Sequence, residues 1–231
     1  MSEVYSNPFF GITITVVAYA IATGVQRRWR WMPSLVLTCG GLIALLLAAK
    51  IPYQSYKAGG DVVALFLKPA TIALGVPFYK HARQIRKNAT AVLTAVTVGA
   101  ASGIVSAGML VWLMHGSPVL LRSMIPKSVT TPISIELARQ LHGVPELAGI
   151  FTVLAGLLGS VIGPALLRRC GIRGDIAIGL AIGTSSHGIG TARVVHESEL
   201  QGGASGLAMA LSGIVTSLLV IPLQWWMARV S

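Results

Sequence analysis

The chain has 231 residues, of which 54% are hydrophobic and 11% are charged, with a net charge of +11. This charged fraction is less than half the usual share in soluble domains. Five long stretches contain no Asp, Glu, Lys or Arg: 4–26, 31–49, 88–121, 147–167 and 200–228. Each stretch is about long enough to cross ~30 Å of hydrocarbon as a helix. Together they leave too little polar sequence to cover a soluble surface, so we predict a polytopic membrane protein embedded in the lipid bilayer.

The basic residues explain the net charge without nucleic acid as a partner. They cluster in short segments between apolar stretches: Arg27, Arg28 and Arg30; Lys80, Arg83, Arg86 and Lys87; Arg168, Arg169 and Arg173. This pattern predicts that these loops face the cytoplasm of a multi-pass protein. The first apolar stretch follows Glu3 and precedes basic residues, a charge order that a cleaved signal peptide does not have. It is therefore predicted to be the first spanning helix.

In chain order, residues 8–26 and 32–49 are predicted to be the first two spanning helices. The segment 50–60 contains a Pro and a Gly pair and is predicted to be a connection. Residues 61–80 are long enough to cross, yet they contain Lys68, Pro69, Gly75 and Pro77. Proline removes a helical hydrogen bond, and unwound backbone is tolerated at membrane depth only when protein or water covers it. We therefore predict a broken helix that faces the protein interior.

The second half of the chain continues with a spanning helix at 88–114 and another at 147–167. Because loop charge places both ends of 122–145 outside, this segment is predicted to be a re-entrant hairpin. Residues 175–193 begin as an apolar helix and become polar and Gly-rich, and their pattern leaves open whether they cross or turn back. Residues 203–227 are predicted to form the last helix.

These elements predict an all-α membrane protein, with residues 1–231 forming one integral membrane domain of about seven or eight segments, some broken or re-entrant. Lys68-Pro69-x-Thr71 and 127–132 both place a Lys, a Thr and a Pro in an interrupted segment. Paired interrupted segments are typical of inverted-repeat transporters, and chance similarity is the alternative explanation. The small residues of 99–108 also favour close helix packing, including self-association as a homodimer.

The first candidate binding segment is Pro-Lys-Ser-Val-Thr-Thr-Pro at 126–132. Its polar candidates for substrate binding are Lys127, Ser128, Thr130 and Thr131. Pro132 can begin a half-helix, whose free N–H groups and dipole would attract an anion. The alternative is an external loop with ordinary capping residues.

The second candidate segment is 183–193, a polar, Gly-rich string at membrane depth. Its candidate substrate-binding residues are Gly183, Thr184, Ser185, Ser186, His187, Gly188, Gly190, Thr191 and Arg193. Glycines let backbone amides approach a ligand. His187 could bind a ligand or carry a proton, or it could be a satisfied buried imidazole. Arg193 could pair bidentately with a carboxylate, or it could snorkel to the interface.

Lys68 and Thr71 complete the candidate set. A charge such as that of Lys68 is costly inside a membrane unless it is paired or solvated, so we expect it either to face a cavity or to pair with Asp61 or Glu136. Asp61 and Asp175 are expected to cap helix starts. Catalytic motifs and metal-ligand spacings are absent from the sequence, and its two cysteines provide no disulfide framework. We therefore expect no enzyme activity, metal or cofactor.

Three strings resemble the LrgB/CidB family of membrane proteins: Lys-Pro-Ala-Thr-Ile-Ala-Leu at 68–74, Pro-Lys-Ser-Val-Thr-Thr-Pro-Ile at 126–133, and Gly-Thr-Ser-Ser-His-Gly-Ile-Gly-Thr-Ala-Arg at 183–193. The resemblance covers nearly the whole chain. Family members often have Gln where Lys68 stands here. The resemblance implies a bacterial cytoplasmic (inner) membrane protein that acts with a smaller LrgA/CidA-type membrane partner.

The resemblance implies two different functions. Bacterial members are described as holin-like or antiholin-like regulators of murein hydrolase activity and autolysis. A plant relative is a plastid glycolate/glycerate translocator, and some bacterial pairs are linked to pyruvate uptake. Because Arg193, hydroxyls and half-helix amides suit small anionic substrates, we expect transport of small monocarboxylates by alternating access at a midplane site. Regulation of murein hydrolases is the alternative, and a membrane scaffold for the partner is a third interpretation.

Overall fold

The computed structural model describes residues 7–29, 34–66, 69, 72–73, 76, 79–80, 83 and 86–230. Regular structure in these residues is entirely helical, which confirms the all-α prediction. Four of the described helices are long and apolar enough to cross a membrane: Pro8–Arg28, Ala89–Leu113, Pro145–Arg169 and Glu199–Trp225. These findings support a membrane protein. The contacts divide the chain into two compact units, residues 1–72 and 73–231, and the single-domain assignment stays a prediction.

The first unit contains α1 (Pro8–Arg28), α2 (Ser34–Ala48) and α3 (Tyr53–Leu65). The prediction of a connection at 50–60 was wrong, because α3 already begins at Tyr53. The Gly pair serves close packing instead of a turn: a Cβ on Gly59 would lie only 2.6 Å from the Cα of Gly11 in α1. The residues on which the broken-helix prediction for 61–80 mainly depends, Lys68, Gly75 and Pro77, lie outside the described residues, as does Thr71.

The second unit contains six described helices after residue 86. They are α4 (Ala89–Leu113), α5 (Pro118–Met124), α6 (Thr131–Gln140), α7 (Pro145–Arg169), α8 (Asp175–Val194) and α9 (Glu199–Val230). The spanning helices predicted at 88–114 and 147–167 correspond to α4 and α7. The last helix begins four residues earlier than predicted, at Glu199.

The two ends of the segment 122–145 lie next to each other, as the predicted hairpin requires. The backbone N–H of Val144 donates to Ser123 Oγ at 2.8 Å. A Cβ on Gly143 would lie 2.8 Å from the backbone nitrogen of Ser123. Between these points the chain makes a turn over 125–130 and then forms α6, with Pro132 in its first turn as expected. We call residues 124–142 the first hairpin.

Helix α8 is not continuous, because His187 has φ 40° and ψ −136°. A Cβ on Gly190 would lie 2.6 Å from Ile182 Cγ2, although eight residues of straight helix would separate them by about 12 Å. Val194 packs in one cluster with Ile178 and Ile182. The segment 175–194 therefore turns back at His187, which answers the question that its sequence pattern left open. We call it the second hairpin.

Helix α9 runs along both hairpins. Near its start, Gln201 Nε2 donates to Asp175 Oδ1 at 2.8 Å. Near its end, Gln224 Nε2 donates to the Gln140 carbonyl at 3.0 Å. The end of α9 thus lies beside α6, whereas its start lies beside the beginning of α8. The expectation that Asp61 and Asp175 cap helix starts was wrong, because Asp61 lies inside α3 and Gly174 occupies the N-cap of α8.

Candidate functional site

A cavity of about 1160 Å³ opens along α4, between the first hairpin's turn and the first half of α8. Small and hydroxyl-bearing side chains make up much of its wall. The polar lining residues are Asn88, Ser102, Ser106, Lys127, Ser128, Asp175, Thr184 and Ser185. Four of the predicted binding residues therefore share one cavity: Lys127, Ser128, Thr184 and Ser185.

Lys127 provides the cationic group on this wall. Its Nζ donates to the Gly103 carbonyl at 3.2 Å and lies 3.3 Å from Ser128 Oγ. Gly103 lies near the middle of the 25-residue α4, so the ammonium group is about halfway along a spanning helix. In the described part of the chain no carboxylate pairs with Lys127. A partly buried ammonium group without a carboxylate partner favours an anion.

The two hairpins reach neighbouring turns of α4 because two glycines on that helix lack side chains. A Cβ on Gly103 would lie 3.1 Å from Ser128 Oγ, and one on Gly99 would lie 2.7 Å from Thr184 Cγ2. A side chain at Gly99 would displace Thr184, and one at Gly103 would crowd Ser128, so both glycines favour the close approach of the hairpins to α4. The Gly99–Gly103 face brings Ser128 and Thr184 onto adjacent turns at mid-helix.

His187 is buried and does not line the cavity, with only 4% of its surface exposed. Its Nε2 lies 2.8 Å from the Thr152 carbonyl, so this nitrogen carries the hydrogen that it donates. The imidazole fills the space left by Gly156 of α7, where a Cβ would lie 2.7 Å from both Cε1 and Nε2. These contacts hold a backbone conformation that residues with a Cβ rarely adopt. Thr152 Oγ1 also donates to Ser134 Oγ at 2.7 Å, which links α7 to the first hairpin.

The remaining predicted residues of 183–193 pack the second hairpin against its neighbours. Ser186 is buried against Gly159 of α7. Thr191 Oγ1 donates to the His187 carbonyl and lies 2.8 Å from Ser205 Oγ of α9. A Cβ added at Gly183, Gly188 or Gly190 would meet Ser205, Met209 or Ile182, respectively. These residues are therefore near the cavity without forming its wall.

Arg193 lies outside the cavity as well, in a surface ion-pair cluster. Its Nη2 is 2.8 Å from Glu197 Oε1, and Glu197 also pairs with Arg168 at the end of α7. Arg193 therefore lies apart from the candidate residues that line the cavity, and both its role in substrate binding and its interface alternative stay predictions. Thr130 precedes α6, and Thr131 faces Gly149 of α7.

The two carboxylates considered as partners for Lys68 have other partners in the structure. Asp61 lies 3.8 Å from Lys57, and Glu136 lies 2.5 Å from Arg139. Lys68 and Thr71 are outside the described residues, so their predicted roles stay predictions.

Several cavity residues were missed at the sequence level. Ser102 and Ser106 lie on the cavity side of α4, four residues apart and interleaved with Gly99 and Gly103. The 99–108 segment was interpreted only as a packing surface. The alternation of glycine and serine at helical spacing was the signal that could have identified a polar, accessible face.

Comparison with known proteins places the chain in a family. The LrgB-like family model matches residues 15–226. The Bacillus subtilis (strain 168) protein YwbG is 36% identical over 213 residues, which cover 90% of this chain and 95% of that protein. A Haemophilus influenzae protein is 33% identical over 208 residues, 89% of this chain and 90% of that protein. A Bacillus mycoides protein named antiholin-like protein LrgB is 27% identical over 221 residues, 94% of this chain and 95% of that protein.

No solved structure matches this chain significantly. The family match, over residues 15–226, covers both hairpins, three of the four described helices that are long and apolar enough to span a membrane, and α1 from residue 15 onward. The similarity to YwbG and to the Haemophilus protein extends over nearly the full length of each protein. The chain belongs to the LrgB-like family.

Proposed function

We propose that this protein carries small monocarboxylates of the glycolate, glycerate and pyruvate class across the membrane. The observation that carries the proposal is the position of Lys127. Its ammonium group is partly buried halfway along α4, lines the cavity, and has no carboxylate partner in the described part of the chain. An anionic ligand would supply the missing countercharge.

Besides the carboxylate, these substrates all carry an oxygen on the neighbouring carbon atom, and the wall around Lys127 has groups that suit this oxygen. Ser102, Ser106, Thr184 and Ser185 contribute hydroxyl groups to the cavity. Each of these hydroxyls donates its hydrogen to a carbonyl of its own helix. Its free lone pairs can accept a hydrogen bond from a substrate alcohol, and it can donate to a keto oxygen only after rotating away from that carbonyl. Lys127 would bind the carboxylate, and the hydroxyls would bind the neighbouring oxygen. No step of this binding needs an enzyme reaction or a cofactor.

The arrangement of the hairpins supports alternating access. The first hairpin follows α5, which lies near the end of α4, where a Cβ on Gly108 would lie 3.8 Å from Leu121 Cδ1. The second starts near the beginning of α4, where Asp175 and Asn88 line the same cavity. Hairpins that enter from opposite ends and meet at mid-depth are typical of inverted-repeat transporters. We propose seven or eight membrane segments in such a repeat, with rocking or elevator motion about the Lys127 region.

The setting that we propose is the bacterial inner membrane, with the basic loops in the cytoplasm. A smaller LrgA/CidA-type membrane protein is the proposed partner, and the small residues of 99–108 support a homodimer as the self-associated form.

Uptake of labelled glycolate and pyruvate into proteoliposomes tests the proposal, with efflux of a trapped, unrelated dye measured in parallel. We expect saturable uptake that unlabelled acid competes away, without dye release. Non-saturable uptake together with dye release would instead indicate a pore and contradict the carrier. The assay is to be repeated with the partner protein co-reconstituted, and absence of uptake in both preparations would also contradict the proposal.

The second candidate function is antiholin-like regulation of murein hydrolases and autolysis. It is favoured by the names of relatives, among them the antiholin-like LrgB proteins of Bacillus mycoides and Bacillus cereus. This function predicts that deleting the protein changes autolysis, and that the wild type and Lys127→Gln both restore normal autolysis to the deletion strain. If Lys127→Gln restores normal autolysis to a deletion strain but does not restore carboxylate uptake, the two functions are separate.

A further inference from the structure

The cavity contains a carboxylate, Asp175, at the end away from the first hairpin. Asp175 is only partly exposed, and it makes no ion pair with a Lys or Arg among the described residues. This is unusual here, because the chain has 18 Lys and Arg for 7 Asp and Glu. A partly buried carboxylate needs a countercharge or donors to offset its desolvation.

Among the described residues, the side chains next to Asp175 provide hydrogen-bond donors but no full positive charge. Gln201 Nε2 donates to Oδ1 at 2.8 Å, and Ser198 Oγ donates to Oδ2 at 3.1 Å. These contacts fix the carboxylate in place and also fix the orientation of the Gln201 amide. The full negative charge remains on the cavity wall.

The amide oxygen of Gln201 is a second, independent observation. Gln201 is 5% exposed, and its Oε1 is buried without a hydrogen-bond partner in the described structure. Buried polar atoms are nearly always satisfied, and an exception calls for an explanation such as a bound ion. The amide nitrogen Nε2 donates to Asp175, and the amide oxygen Oε1 belongs to the same small planar group. The unsatisfied Oε1 therefore lies within a few ångströms of the Asp175 carboxylate.

We propose that Asp175, on the cavity wall, and Gln201, buried beside it, bind a monovalent cation of the Na⁺ type. A carboxylate oxygen, an amide oxygen and the Ser198 hydroxyl are hard oxygen ligands, which suit an alkali cation. One carboxylate balances one positive charge, whereas sites for divalent ions usually gather more. Sites for softer metals use His and Cys, and the described residues contain no group of three His, Cys, Asp or Glu that could hold a metal ion.

The cavity would then bind an anion at Lys127 and a cation at Asp175. Their joint occupation would allow a cation gradient to drive carboxylate uptake. The cation site stands by itself, and only this coupling rests on the proposed function.

Thermal unfolding of the purified, detergent-solubilised protein tests the site without any carboxylate substrate. NaCl replaces choline chloride at constant ionic strength, and tryptophan fluorescence reports the Tm. Because a ligand that binds only the folded state stabilises it, we expect a saturable rise in Tm of roughly 2–8 °C. Superimposed NaCl and choline curves for the wild type would overturn the proposal.

Two variants connect the effect to the site. Asp175→Asn removes the charge at nearly constant shape, and it should abolish the Na⁺-dependent increment whatever its effect on the basal Tm. Glu199→Gln is the matched control, because Glu199 carries an exposed carboxylate that pairs with Lys80 at 3.2 Å, and it should keep the increment. An increment that survives in Asp175→Asn would overturn the site.

The outcomes of this test and of the uptake test are separable. A normal Na⁺ increment with no carboxylate uptake would support the cation site and contradict the transport function. Saturable uptake that is independent of Na⁺, together with no Na⁺-dependent rise in Tm, would support the transport function and contradict the cation site.

Discussion

The substitution Gly156→Ala should displace His187 and so destabilise the turn of the second hairpin. The new Cβ would lie 2.7 Å from both Cε1 and Nε2 of His187, and 3.0 Å from Ile189 Cδ1. Cβ atoms do not tolerate contacts of 2.7 Å, so the imidazole must move. Its hydrogen bond to the Thr152 carbonyl, 2.8 Å long, would then be lost.

The magnitude follows from three contributions. Overpacking a filled interior costs about 1–3 kcal/mol, and leaving the buried Nε2–H of His187 without its acceptor costs about 1–3 kcal/mol. Replacing glycine by alanine within a helix contributes about 1 kcal/mol in the opposite direction. We expect a net loss of about 3 kcal/mol. For a chain of this size, that corresponds to a Tm decrease of roughly 6–12 °C.

Gly149→Ala in the same helix is the matched control. Its Cβ would lie 3.7 Å from Ile135 Cδ1, an ordinary van der Waals distance. The control should therefore show only the gain in helix propensity, an increase in Tm of roughly 2–4 °C. Both variants are to be compared with the wild type by thermal unfolding at one scan rate. If Gly156→Ala proves as stable as Gly149→Ala, then His187 does not fill the space beside Gly156 and the proposed locking of the break is refuted.

Two further predictions concern the cavity wall. Gly99→Ala would place a Cβ 2.7 Å from Thr184 Cγ2 and push the second hairpin away from α4. We expect this displacement to weaken carboxylate binding by about 1–2 kcal/mol, which corresponds to a roughly tenfold rise in the Kd. Gly108→Ala should leave it unchanged, since its nearest neighbour is 3.8 Å away, and equal effects on binding would contradict the prediction. In a background without the native cysteines, Ser185→Cys should react with a water-soluble thiol reagent and be protected by glycolate, whereas Ser186→Cys should be inert, because Ser185 lines the cavity and Ser186 is buried. Reversed reactivities would show that the wall has been assigned to the wrong face.

Much of the helical organisation was predictable, because long apolar stretches and basic loops are strong local signals. They predicted α1, α4 and α7 closely. The close approach of the two ends of 122–145 was also predictable, since loop charge predicted both ends on one side of the membrane. The error at 50–60 arose because glycine has two uses: it permits turns and it permits close helix packing. Sequence does not distinguish these uses until the partner helix is known.

The composition of the cavity was predictable only in part. Ser128 and Thr184 were identified as polar residues in interrupted segments, and the structure brings them to adjacent turns of α4. Arg193 was expected to supply charge to the same site, but the turn at His187 carries the chain back toward Arg168. That reversal depends on one unusual backbone conformation and on packing against Gly156. The local sequence pattern does not encode either of these features.

Equilibrium binding of labelled glycolate to the purified protein is the most direct test of the site at Lys127. Lys127→Gln removes the ammonium group that donates to the Gly103 carbonyl, and Arg193→Gln removes a positive charge of the surface ion-pair cluster. We expect saturable binding by the wild type, a Kd raised at least about tenfold in Lys127→Gln, and nearly wild-type binding in Arg193→Gln. If Lys127→Gln binds as the wild type does and Arg193→Gln fails to bind, the anion site lies at Arg193 and the assignment to Lys127 is wrong.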